Sequence, residues 1–190
     1  MRRLATLVCA AVLLLSSSGC SFHGLNGTDG KDFVEGNGIP HEIAVADRGA
    51  PIDLSGTDLD GKPLSLASMR GKPTVISVWW AECGPCRKEA PMLVGAHRQL
   101  ADQAHFVGVD VRDGGTAAPQ AFVHQFGVDW PSFYSPGGKA LLAFSGTITP
   151  QSIPSTMVLD AQGRVAASII GAVPSQLTLV QIVQDVTKSG

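Results

Sequence analysis

The stretch WWAECGPCRKEAP, Trp79 to Pro91, sets two cysteines three positions apart around a Gly-Pro pair. Such a pair serves as a metal clip, a structural staple or a redox centre, and its surroundings separate these readings. Just before it, Thr74-Val75-Ile76-Ser77-Val78-Trp79 is a continuous β-rich run, the pattern of a strand buried on both faces. Just after it, Glu89 to Asp102 fits a helix with Leu93, Ala96 and Leu100 on one face. Strand, CxxC, helix places Cys83 at a helix N-terminus, where unsatisfied N–H groups and the positive dipole end favour a thiolate. Cys86 lies one turn further on the same side, within reach of a disulfide. Gly84 allows the sharp turn, and Pro85 enters the helix with its φ preset. In this arrangement Cys83, nearer the surface, attacks a disulfide and Cys86 resolves the mixed disulfide. Arg87 and Lys88 add positive charge or form a solvated helix face.

The ends of the chain narrow the choice. Met1-Arg2-Arg3 is basic, Leu4 to Leu15 is almost wholly apolar, and small residues lead to Cys20. Residues 1–19 therefore read as a secretory signal, with an apolar run too short to span a bilayer comfortably. A cysteine directly after the small residues resembles a bacterial lipoprotein signal, in which Cys20 becomes the lipidated first residue. Ser17 departs from the leucine-like residue usual there, and the alternative is an ordinary secreted chain. Losing Arg2 and Arg3 with the signal takes the net charge from −2 to −4. Cys9 would leave as well, so Cys83 and Cys86 remain alone. A loop that small removes little chain entropy when closed, which argues against a staple.

The chain has 190 residues, enough for one domain with a tail, and its near-neutral charge without Lys/Arg clusters argues against nucleic-acid binding. Residues 20–50, with six glycines from Gly24 to Gly49, read as a flexible tether, and residues 51–190 as the folded domain. Ile52 to Leu54 and Leu64 to Leu66 alternate around a turn at Asp60 to Pro63, predicting an N-terminal hairpin. His105 to Val111 is a second buried strand. A helix near Ala117 to Phe126, an extended piece near Trp130 to Tyr134 and a short helix at Lys139 to Phe144 follow. Thr156 to Leu159 and Val165 to Ile170 form a hairpin around Asp160 to Gly163. Ser175 caps a last helix with Leu177, Val180, Ile182 and Val183 as core candidates. This order predicts an α/β fold, a central mixed sheet flanked by helices. A CxxC after the first core strand of such a unit is the thioredoxin-like arrangement.

Trp79, Cys83 to Arg87, Glu89, Pro91 and Ile153-Pro154-Ser155-Thr156 together resemble the TlpA/ResA branch of thioredoxin-like proteins, membrane-anchored extracytoplasmic thiol-disulfide oxidoreductases. The resemblance covers roughly Pro51 to Lys188, and residues 117–134 match the central insertion of that branch. It implies that Pro154 is a cis-proline lying against the cysteines, with the backbone at Ile153 offering hydrogen bonds to a substrate chain. It gives Glu89 the place of a carboxylate that tunes the thiol pKa values and relays a proton to Cys86. Trp80, Gly84 and Pro85 would complete the substrate surface. Two departures stand out: Glu82 occupies the place of a tryptophan, and Trp80 that of a small residue. Ser77 stands where thioredoxin buries an aspartate, which shifts proton handling onto Glu89.

The implied partners are thiols and disulfides of exported proteins, apocytochrome c among them, and a membrane thiol electron donor of the CcdA/DsbD type. A monomer without cofactor or metal is expected, held to the outer membrane face through Cys20. A disulfide-forming oxidase is the alternative direction. A copper chaperone of the same fold is the alternative class, although its relatives have wider cysteine spacing and a histidine partner, and His97, His105 and His124 lack metal spacing. A peroxiredoxin would keep a threonine where this chain has Trp80.

Overall fold

The computed structural model describes Gly36 to Gly190. The signal, Cys20 and the first part of the expected tether lie outside the described residues. Among the described residues, eight strands form two sheets. The main sheet contains β1 (Pro40–Glu42), β4 (Thr74–Trp79), β5 (His105–Asp110), β6 (Ser132–Tyr134), β7 (Ser155–Leu159) and β8 (Val165–Ile170), in the order β1-β8-β7-β4-β5-β6. β2 (Ser55–Thr57) and β3 (Pro63–Ser65) form a separate antiparallel pair, displaced by a residue or more from the predicted hairpin arms. The helices are α1 (Gly84–Leu100), α2 (Ala117–Phe126) and α3 (Gln176–Ser189).

β4 runs at the centre, parallel to β5 and antiparallel to β7, and all six of its residues are buried. Its unbroken apolar character follows from that place, because both faces are covered. One apolar cluster joins Val75 and Phe106 of the sheet with Leu93, Ala96 and Leu100 of α1 and Leu179, Val180 and Val183 of α3. The other joins Ile76, Val107 and Met157 with Phe122 of α2, Phe133 and Phe144, and it contains both cysteines. β7 starts, and β4 and β5 end, at one end of the sheet, and the CxxC turn lies there.

Two expectations need correction. The expected tether runs to residue 50, yet Pro40–Glu42 is an edge strand antiparallel to β8, so the ordered fold begins before residue 51. A three-residue strand has no alternation to read; backbone pairing and close glycine contacts hold it. A Cβ on Gly36 would lie 2.1 Å from the Ile170 carbonyl oxygen, and one on Gly171 2.6 Å from that of Gly36. Leu177 is 73% exposed, whereas Leu179 is fully buried. At 100° per residue, position 177 points away from the stripe formed by 179, 183 and 186.

Candidate active site

The turn from β4 into α1 is built by local rules. Cys83 has extended backbone at the N-cap, its amide donates to the Trp80 carbonyl at 3.1 Å, and its Sγ accepts the Cys86 N–H at 3.1 Å. Arg87 N–H closes the first turn onto the Cys83 carbonyl at 3.0 Å. The cysteines form a disulfide with Cα atoms 5.2 Å apart. They are 4% and 3% exposed, so the expected difference in burial is absent. What separates them is the N-cap: only the Cys83 sulfur receives a helix N–H, which stabilises its thiolate after reduction. Glu82 and Gly84 beside it are exposed, Pro85 is half-buried, and Pro91 lies inside α1.

Glu89 is 6% exposed, so it is no solvated helix residue. Its place on α1 explains this: Cys86, Glu89, Leu93, Ala96 and Leu100 follow the three-four spacing of one buried stripe. Burial pushes its pKa up to about 7, against an opposing hydrogen bond from Val173 N–H at 2.7 Å. Glu89 and Cys86 line a common cavity with Ser77, Trp79, Phe122 and Trp130. It offers about 20 Å³ to the centre of a water molecule, room for one.

The segment before β7 leads into the strand that pairs with the end of β4, Ser155 lying opposite Val78. Ile153–Pro154 is a cis peptide, and the Pro154 carbonyl accepts the Gly171 N–H at 2.9 Å. Ile153 is 2% exposed and belongs to the core, Pro154 beside it is buried as well, and the Ile153 N–H donates to the Gln151 carbonyl at 3.0 Å. The turn is tied locally: Ser152 Oγ meets Thr149 Oγ1 at 2.8 Å, and Ser155 Oγ donates to the Ser152 carbonyl. Trp80 is half-buried beneath the Arg112 guanidinium, 5.9 Å from its ring, while Trp79 turns inward and stacks on Phe122 at 4.3 Å.

The loop after β5 contributes groups that the sequence reading missed. Asp113 Oδ2 accepts the Ala81 N–H at 2.7 Å, and the Tyr134 hydroxyl donates to the Asp113 carbonyl at 3.1 Å. Asp110 is fully buried, next to the Asp113 carboxyl. The available signal was a carboxylate closing the otherwise apolar run His105 to Val111. His97 lies elsewhere, with Nδ1 2.9 Å from Asp129 Oδ1 and its ring against Phe106 and Trp130. Among the described residues, no three His, Cys, Asp or Glu side chains assemble into a metal-binding group, and no helix is long and apolar enough to cross a membrane.

The sequence and the fold are similar to those of known proteins. The family model described as Redoxin matches residues 34–185. The chain belongs to the Redoxin family. ResA of Bacillus thuringiensis (strain Al Hakam), a thiol-disulfide oxidoreductase, is 29% identical over 116 residues, 60% of this chain and 64% of that protein. The match therefore spans a little under two thirds of that relative. A DsbF homologue from Corynebacterium diphtheriae superimposes with a TM-score of 0.73 at 29% identity, over 86% of this chain and 97% of that one. A secreted thiol-disulfide isomerase from Corynebacterium glutamicum gives 0.74 at 27% identity, over 85% and 95%. The fold of this Redoxin-family chain is thioredoxin-like α/β, a mixed sheet flanked by helices.

Proposed function

We propose that the chain is an extracytoplasmic thiol-disulfide oxidoreductase that works through the Cys83/Cys86 pair and reduces disulfides in exported proteins. One observation carries this reading: a disulfide at the N-terminus of α1, with a helix N–H on the Cys83 sulfur and the buried Glu89 carboxyl beside Cys86. In the reduced protein the Cys83 thiolate attacks one sulfur of a substrate disulfide, and the other sulfur leaves as a thiolate. Cys86 gives its proton to Glu89, through the one-water cavity, and attacks Cys83 Sγ. The first substrate sulfur then leaves, so two electrons pass to the substrate and the Cys83–Cys86 disulfide forms. With a pKa of about 7, Glu89 can hold or release a proton near neutrality. The backbone around Ile153 and Pro154, with Trp80, Gly84 and Pro85, forms the surface against which the substrate chain lies.

The reducing direction rests on charge. A carboxylate at Glu89, and Glu82 beside Cys83, disfavour the thiolates, and less stable thiolates make the dithiol a better reductant. The opposite direction has its own support in the Cys86 N–H on Cys83 Sγ, which stabilises thiolate and favours an oxidant. The reduction potential decides between them: a value below about −250 mV marks a reductant, one above about −180 mV an oxidant. In the reducing role the chain serves apocytochrome c or other exported thiol proteins. It draws electrons from a CcdA/DsbD-type membrane donor and is held at the outer membrane face as a monomer by lipid on Cys20. Mass spectrometry finding signal cleavage with an unmodified Cys20 would remove the anchor and leave a secreted enzyme.

A further inference from the structure

Two residues before Cys83, the backbone of Ala81 is held from both sides by side chains. Its N–H donates to Asp113 Oδ2 at 2.7 Å, from the loop after β5. Its carbonyl accepts from Arg87 Nη1 at 3.0 Å, from the first turn of α1. These groups belong to consecutive peptide planes, so together they set the dihedral angles that lead the chain into Cys83. Ala81 itself is 2% exposed, and water does not compete freely for either bond.

Each jaw is in turn braced. Arg87 reaches Gln125 Oε1 at 2.8 Å with its other amino group and lies over the Phe126 ring, 5.2 Å from its centroid. Asp113 is fixed through its carbonyl by the Tyr134 hydroxyl, and its loop is joined to β4 by Val111 N–H on the Trp79 carbonyl at 3.2 Å. Asp110, at the end of β5, is fully buried. Burial, then the neighbouring Asp113 carboxyl, hold its pKa well above the usual carboxylate range.

We propose that Asp113 and Arg87 form a clamp on the Ala81 backbone that positions Cys83 for attack. They are positioning residues, and the proposal rests on the reading of Cys83 as the attacking thiol. Thiol-disulfide exchange needs the attacking sulfur aligned with the disulfide it opens, and a displacement near 1 Å can cost on the order of a hundredfold in rate.

The test measures how fast the reduced full chain forms its Cys83–Cys86 disulfide with oxidised glutathione, with the denaturation midpoint of each variant recorded in parallel. Peptide mapping keeps Cys83 and Cys86 distinct from other cysteines. Asp113→Ala removes the acceptor and slows the reaction roughly tenfold or more. Asp113→Asn keeps an oxygen for the Ala81 N–H and stays within about twofold of wild type, a rescue that loss of stability does not produce. The proposal is overturned if Asp113→Ala reacts at the wild-type rate, or if Asp113→Asn is as slow as Asp113→Ala. Should Asp113→Ala fail to fold, Arg87→Met reads the other jaw: a fall of about threefold or more supports the clamp, and an unchanged rate overturns it. A wild-type chain that exchanges with glutathione but not with protein disulfides would sink the functional reading alone. The variant ratios would still decide the clamp.

Discussion

Glu89 and Asp110 are both buried carboxyls whose pKa values burial raises, yet they occupy different settings. Glu89 has a backbone donor in Val173 and opens onto a cavity large enough for one water beside Cys86. Asp110 has a second carboxyl beside it, that of Asp113, which adds to the effect of burial. Burial is the largest cause of both shifts. What lies next to each carboxyl decides whether its proton can be exchanged with a reacting sulfur or is kept for structure. On the proposed reading Glu89 is the acid that exchanges a proton with Cys86, whereas Asp110 does not line their cavity.

The comparison has meaning only if the two cysteines react, and here the largest effects are expected. Cys83→Ser should abolish turnover, and Cys86→Ser should accumulate mixed disulfides with protein substrates, visible on non-reducing gels. Normal turnover by Cys86→Ser would remove any need for a proton acceptor beside it.

Glu89→Gln comes next. With the carboxylate gone, the cysteine pKa values should fall, by about one unit, in a thiolate absorbance titration. An unchanged titration would reduce Glu89 to a structural acid and erase its contrast with Asp110. Stability gives a second measure. A pKa near 7 in the fold, against an ordinary 4.5, means the native state binds the Glu89 proton more tightly than the unfolded state does. Stability is therefore lost as pH rises from about 4.5 and levels off above about 7, by up to about 3 kcal/mol. Glu89→Gln keeps an acceptor for Val173, so denaturant midpoints should show it more stable than wild type at pH 8 and nearly equal at pH 4.

Asp110→Asn separates the two sites further. The folded pKa of Asp110 is likewise raised, so the wild type loses stability as pH climbs past the ordinary carboxylate range, and the variant should lose less. Unlike Glu89→Gln, it should leave the cysteine titration where it was. A shift as large as that of Glu89→Gln would make both carboxyls parts of one proton system. The smallest effect belongs to Lys88, which is exposed beside Glu89: Lys88→Ala should change the glutathione exchange rate by less than about twofold.

Where the structure agreed with the sequence reading, the information was local. β4, the CxxC turn and α1 follow one another without interruption, so spacing alone brings Cys86 within one turn of Cys83. The buried stripe through Leu93, Ala96 and Leu100 could have been extended back to Glu89, which would have marked it as buried. β1 gave no such signal, because three residues paired through backbone groups leave no pattern in their side chains. Leu177 was misread because an apolar residue in the first turn of an amphipathic helix need not share the phase of the core stripe.

By itself the sequence determined the order of elements, the helix cap at Cys83 and the proline before β7, since each depends on residues within a turn or a strand of one another. Tertiary structure alone decided which partners the acids meet. Glu89 receives its donor from Val173, 84 positions away, and Ala81 is held by Asp113, 32 positions away. A carboxyl's desolvation and its partners depend on what the folded chain places around it, and neither is written in its sequence neighbours.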